Sequence, residues 1–308
     1  MRKQFADTLL CEAKKNTSIL LLTGDLGFSV FEGFMHEFPN RFFNMGVAEV
    51  NMVGVAAGLA LSGKKPFVYS IVPFVTMRCY EQVRNDVCYQ NADVKIVGVG
   101  GGFSYGVNGP THHAISDIAI MRALPNIVVV CPADPVEASL ATIAAVKNRG
   151  PVYLRLGRNE EPVVHLKEPV FELGKAIELR KGNDASLIST GNMLNNCVIA
   201  AEKLCGKGIE CRVVSMHTVK PLDKNTVLKA AKETKAVFSV EEHSLVGGLG
   251  SAVSEVLAES GNPVLFKRIA LPDKFACKIG SQKYLQKINM LSAESIAETV
   301  LKTVESGH

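Results

Sequence analysis

FFNMGVAEVNMVGVAAGLALSGKKPFVYS, residues 42–70, holds the transition on which the fold turns. A short strand ends at Met45, Gly46 supplies a tight turn that tolerates positive φ, and a helix runs from Glu49 to Leu61. Glu49 stands in the first turn of that helix, where a carboxylate complements the macrodipole. Gly54, Ala56, Ala57 and Gly58 leave the helix so thin that another surface is expected to pack closely on it. A β-branched run, PFVYSIV (66–72), follows. Two strands joined through a helix lie parallel, which places the segment in an α/β sheet.

The same alternation continues on both sides. Strands are expected at 18–23, 66–72, 94–100, 126–132 and 151–156, and helices at Gln4 to Lys14, Glu49 to Leu61, Thr76 to Gln90 and Pro135 to Lys147. After a charged stretch without a clean period, strands are expected again at 185–190, 210–216, 236–242 and 264–270. Helices are expected near 194–205, 223–233, 248–259 and 293–304. The reading is α/β, with two doubly wound domains at residues 1–160 and 183–308 and a surface linker at 161–182. No repeated motif relates the halves.

Composition narrows the function classes. With 47% apolar and 21% charged residues, the 308-residue chain is neither disordered nor fibrous. The uncharged apolar stretch Val50 to Gly63 is shorter than the roughly 18 residues that span a bilayer. The opening MRKQFADTLLCEAKK reads as a helix rather than a secretory signal, so a cytoplasmic protein without a membrane span is expected. The net charge of +4 is dispersed among acidic residues, which leaves no nucleic-acid footprint. Eight cysteines without a Cys-x-x-Cys pair, most of them in apolar segments, read as reduced core thiols, and no metal site is expected in this chain.

Two glycine-rich segments need a reading. In VGVGGGFSYGVNGPTHHAISD (97–117) the third glycine of a dinucleotide fingerprint is missing, and a wall around a substrate fits better. GGLGS (247–251) starts too far behind its strand to place a pyrophosphate at the helix N-terminus, so it reads as a packing turn, with His243 beside it structural or at a subunit contact.

The runs GVAEVNMVGVAAGLALSGKKPF (46–67), YEQVRND (80–86) and NGPTHHAISDIAIMRALPNIVVVCPADPVEA (108–138) resemble the pyrimidine-binding domain of the transketolase family, which includes 1-deoxy-xylulose-5-phosphate synthase. TVKPLD (218–223) and VEEHSLVGGLGSAV (240–253) resemble that family's C-terminal domain. Full-length members hold the diphosphate of thiamine diphosphate and its Mg²⁺ with a further N-terminal domain and a Gly-Asp-Gly motif. This chain has GDLG at 24–27 in another context and no Gly-Asp-Gly. The resemblance therefore implies a C-terminal subunit of a split transketolase, inactive alone, with an N-terminal partner subunit in an α2β2 assembly whose β chains also meet through the small-residue helix.

The resemblance also implies roles. Glu49 matches the acid that hydrogen-bonds the cofactor's pyrimidine nitrogen and shares a proton with it. Phe74, with Tyr80 and Tyr69 nearby, is the candidate to stack on that ring, core packing being the alternative. Asp25 matches a cofactor-facing acidic position, although a strand-end turn residue needs no such role. His112 matches a histidine that bonds substrate oxygen and shuttles protons, and His113 stands where many members have Gln. Asn108 replaces an aspartate of sugar-phosphate transketolases, and Gly100 and Gly101 stand where relatives carry a His or Arg, which puts the usual donor and acceptor in doubt. Arg158, with Arg2 and Ser29 as weaker matches, is expected to grip a terminal phosphate; a carboxylate or sulfonate suits the same group, and solvated surface charge is the alternative. The expected reaction is transfer of a two-carbon ketol unit from a ketose or ketose phosphate to an aldehyde. Three alternatives stay open: the β subunit of a 2-oxo acid dehydrogenase or decarboxylase, a non-catalytic partner-binding module, and a nicotinamide oxidoreductase resting on glycines alone.

Overall fold

A computed structural model describes residues 1–158, 160–261 and 263–306. The first part contains helix α1 (Arg2–Lys15), strand β1 (Ile19–Thr23), α2 (Glu32–Glu37), β2 (Phe42–Asn44), α3 (Glu49–Leu61), β3 (Lys65–Ile71), α4 (Tyr80–Gln82), β4 (Lys95–Val99), α5 (Asp117–Ala123), β5 (Val128–Val130), α6 (Pro135–Lys147) and β6 (Val152–Leu156). The second contains β7 (Ile177–Arg180), β8 (Ala185–Ser189), α7 (Met193–Cys205), β9 (Cys211–Ser215), β10 (Thr218–Lys220), α8 (Lys224–Glu233), β11 (Ala236–Ser244), α9 (Leu249–Ser260), β12 (Leu265–Leu271), α10 (Gln282–Ile288) and α11 (Ala293–Ser306). No helix among these residues is long and apolar enough to cross a membrane.

Among the described residues one sheet has the order β10-β5-β6-β4-β3-β1-β2 and the other β12-β11-β8-β9-β7. Strands β1, β4, β6, β8 and β9 are buried along their whole length, as expected of parallel strands covered on both faces. Local chemistry sets the helix starts. Asp134 caps α6 by accepting from the Glu137 amide at 2.8 Å, with Pro135 in the first helical position. Glu241 takes the Leu249 and Gly250 amides, each at 2.7 Å, so the start of α9 behind the second glycine-rich segment already has its anion.

Four expectations need correction. The residues expected as one helix from Thr76 to Gln90 form a π-helical turn at Phe74–Arg78, the short α4 and a second π-helical stretch at Val83–Cys88. The stretch expected as a linker contains β7, which pairs antiparallel with β9. The second part also lends the first sheet its edge strand, since β10 lies antiparallel on β5 with Thr218 opposite Val130. Finally, three cysteines, Cys11, Cys205 and Cys277, are exposed, while the other five are buried free thiols.

The packing explains why the halves do not behave as beads on a string. One apolar cluster runs from Met52, Val53 and Val68 of the first half to Val214, Val219, Leu249 and Val253 of the second. His243 is fully buried at this junction and accepts from the Ala119 amide at 3.3 Å, which gives it a structural part.

Candidate active site

Glu49 is the first residue of α3 and only 1% exposed. The backbone reaches it through Gly46, whose φ of 65° is readily adopted by glycine. Asn44 fixes the approach: its side-chain oxygen accepts from the Gly46 amide at 3.0 Å and the Asp25 amide at 3.2 Å, and its amide nitrogen donates to the Asp25 carboxylate at 2.9 Å. Asp25 is thus tied to β2 as an exposed turn residue at φ 54°. Across the sheet top, Gly24 lacks the Cβ that would stand 3.1 Å from Ser70 Oγ and 3.2 Å from Glu49 Oε1, and the three elements close up.

The carboxylate has two partners. Ser70, at the end of β3, donates its hydroxyl to Oε1 at 2.8 Å, and Arg78 Nη1 donates to Oε2 at 2.8 Å. The Arg78 guanidinium also lies 4.6 Å from the centre of the Phe74 ring. Phe74 and Arg78 bracket the π-helical turn, which orients both toward one spot. A planar, nitrogen-bearing group is therefore held between the carboxylate and an aromatic ring. Those are the contacts an aminopyrimidine would require, so the residues fit the cofactor that the resemblance implies.

From Phe74 the contacts continue outward. His112 stands edge-on to Phe74 with ring centroids 5.2 Å apart, and Tyr105 lies 6.1 Å from His112. The Thr111 hydroxyl lies 3.0 Å from His112 Nδ1. Arg158 covers Tyr105 at 4.4 Å, and Arg2 Nε donates to the Arg158 carbonyl at 3.0 Å. Arg2, Ser29 and Arg158, from three separate segments, line one cleft of about 990 Å³ that also has Lys3, Asp7, Glu160 and Glu161 on its wall. Burial raises the phenol of Tyr105 above its usual range, against the opposing charges of Arg158 and Arg2, so it stays a neutral donor.

The glycine-rich loop is anchored rather than loose. Gly102 and Ala114 exchange two backbone hydrogen bonds of 2.9 Å each, leaving Asn108 exposed at the rim. His113 points the other way: it is buried against Phe103, its Nε2 lies 3.1 Å from the Gly106 carbonyl oxygen, and burial lowers its pKa. Tyr80 belongs to the packing, since its hydroxyl donates to the Ile120 carbonyl at 3.0 Å, and Tyr69 is buried among Phe5 and Phe31. Arg155 is buried on Asp117 and does not line the cleft of Arg2 and Arg158. Sequence reasoning passed over Ser70, Arg78 and Tyr105. Tyr105 alone carried a signal, as an aromatic residue inside a glycine-rich loop. Among the described residues no group of three or more His, Cys, Asp or Glu side chains is placed to hold a metal ion.

Residues 1–162 match the family described as "Transketolase, pyrimidine binding domain" and residues 174–296 "Transketolase, C-terminal domain". The chain is 41% identical over 268 residues to an apulose-4-phosphate transketolase subunit of Actinobacillus succinogenes, covering 87% of this chain and 86% of that one. It is 39% identical over 306 residues to the 6-deoxy-6-sulfo-D-fructose transketolase subunit SqwH of Clostridium sp., covering 99% and 94%. The solved structure of a split-gene transketolase, an inactive β4 tetramer, matches with a TM-score of 0.91 at 37% identity, covering 99% of this chain and 98% of that one.

Proposed function

The chain belongs to the transketolase family as a C-terminal subunit, and on that premise we propose that it transfers a two-carbon ketol unit from an anion-ended ketose to an aldehyde once a separate N-terminal subunit is bound. The observation that carries this reading is the buried Glu49 carboxylate, joined through Arg78 to Phe74, with a line of ring contacts leading to a cleft that presents Arg2 and Arg158 among acidic neighbours.

Thiamine diphosphate, when bound, supplies the nucleophilic carbon that the reaction needs. The chain's residues prepare and position it. Glu49 holds a proton at the pyrimidine nitrogen, Ser70 fixes the carboxylate's orientation, and Phe74 offers its face to the ring. Asp25 sits at the neighbouring turn beside Gly24 and contributes polarity at the cofactor's edge. His112, edge-on to Phe74, reaches substrate oxygen and moves a proton there, while Asn108 offers an amide at the rim. The far end of the sugar enters the cleft of Arg158, Arg2 and Ser29. The guanidinium of Arg158 suits a phosphate or a sulfonate equally, and the two relatives' names carry one of each. The diphosphate and Mg²⁺ fall to the partner in an α2β2 assembly. The inactive β4 tetramer of the similar split-gene protein supports a dependence on that partner.

The test is reconstitution with the N-terminal subunit, thiamine diphosphate and Mg²⁺, with product analysis over phosphorylated and unmodified ketoses. Transfer is expected only from the mixture, and Glu49→Gln should lower turnover by about 10²- to 10⁴-fold. Turnover by the lone chain, or a Glu49→Gln complex within a few-fold of wild type, overturns the reading.

A further inference from the structure

We propose that Arg78 is a built-in stand-in for the cofactor's aminopyrimidine ring, filling the place between Glu49 and Phe74 until the cofactor displaces it. The proposal rests on the functional reading of Glu49 given above and adds a residue to which that reading assigns no part.

Three features of Arg78 carry it. Its guanidinium is flat and presents N–H donors, as the amidine edge of an aminopyrimidine does, and it bonds Glu49 Oε2 at 2.8 Å. The same group lies 4.6 Å from the centre of the Phe74 ring, so both contacts expected of the ring are already taken. And its side chain is 44% exposed while Glu49 is 1% exposed, so the cation has water to leave into and the carboxylate does not. Arg78 closes the π-helical turn that starts at Phe74, and Thr76 within that turn spends its hydroxyl on the Val72 carbonyl at 2.7 Å. Such turns recur at functional sites as local insertions in a helix.

The arrangement solves a physical problem that Glu49 itself poses. A buried carboxylate with only a serine hydroxyl would be left without a compensating charge, which is costly. Arg78 supplies that charge, and it then competes with the ring from within the same chain. A tethered competitor raises the apparent dissociation constant by the inverse of the fraction of time it is away. A half-exposed ion pair is weak, so the penalty expected is about five- to tenfold.

The experiment measures thiamine diphosphate binding by calorimetry in the complex with the N-terminal subunit and Mg²⁺, together with melting of the lone chain. Arg78→Met should bind thiamine diphosphate about five- to tenfold more tightly than wild type. The lone Arg78→Met chain should melt several degrees lower, and that drop should largely vanish in the Glu49→Gln background. Arg78→Lys keeps the charge without the flat donor edge, and serves if Arg78→Met does not fold; it should also bind more tightly, by a smaller factor. Equal or weaker binding by the folded variants overturns the proposal and makes Arg78 a group that holds Glu49 in the loaded enzyme. A wild-type complex that binds no thiamine diphosphate overturns the functional reading and this one with it, and is told apart because wild type itself fails.

Discussion

Glu49 opens α3 and Asp117 opens α5; both are buried acids at a helix start, both are paired with arginine, and they are built to different ends. Asp117 accepts from the Tyr153 hydroxyl at 2.7 Å and from Arg155 at 2.8 and 3.3 Å. Arg155 also donates to the carbonyls of Ala114 and Glu242, and its side chain is 4% exposed. Both Asp117 oxygens and two of the three Arg155 guanidinium nitrogens are bonded, and neither residue can leave without stranding the other in a dry interior. Glu49 has one hydroxyl and one guanidinium that faces water. The lesson is that burial alone does not distinguish the two carboxylates; the exposure of their arginine partners does.

Stability is the strongest way to break the comparison. Asp117→Ala should cost about 3–5 kcal/mol of unfolding free energy in the lone chain, because it leaves Arg155 buried and unpaired. Glu49→Gln should cost about 1 kcal/mol or less, since Arg78 can hydrate and the amide still accepts from Ser70. Denaturant titration of both variants reads the contrast, and equal losses would erase it. A smaller effect separates the two ends of the active-site line. Arg158→Gln should raise KM for an anion-ended donor by about 10- to 100-fold with kcat preserved, because the contact is made equally in the bound and reacting states. A fall in kcat with KM unchanged would place Arg158 at the chemistry instead.

The smallest effect uses a third buried carboxylate whose cation titrates. Glu137 lies 2.8 Å from His165 and accepts from the Ser215 hydroxyl at 2.7 Å, which joins the two halves. Burial opposes charge on His165, but the hydrogen bond and charge of Glu137, helped by Asp134, outweigh it and raise the pKa. A raised folded-state pKa gives stability that is full below the unfolded value near 6.5 and fades as pH rises through the folded one. His113 and His217 are lowered, by burial first, and run the other way. The stability difference between wild type and His165→Gln should therefore shrink from about pH 5.5 to 8.5. A difference that stays flat would show that this pair carries no charge.

What the residue pattern made legible divides along the same line. The bounds of α3 and α6 follow from Glu49 after Gly46 and from Asp134-Pro135, because caps and apolar period act within a few residues. The convergence of Arg2, Ser29 and Arg158 on one cleft was reachable only through family resemblance, since no local rule joins residues so far apart. Arg78 was hidden by the π-helical turn: residues 76–90 carry α-helical spacing, and widening the turn by one residue changes what each side chain faces. Asp117 and Arg155 were unreadable as a pair because strand order decides it. Strand β7 escaped because charged residues in Ile177–Arg180 imitate a surface loop, a common dress for an edge strand.

Strand β10 makes the division into halves a poor place to cut. Cys131 donates its amide to the His217 carbonyl at 2.7 Å, and Lys220 reaches the carbonyls of Arg122 and Leu124. Severed before residue 174, the front piece would expose a row of bare amides and carbonyls along Val128–Val130, an adhesive margin open to any extended peptide. The back piece would in turn bare the apolar side of Val214, Val219 and Val253. Neither fragment is a sound unit for dissection, so variants that unlatch this strand should surface first as precipitation and proteolysis rather than as altered chemistry.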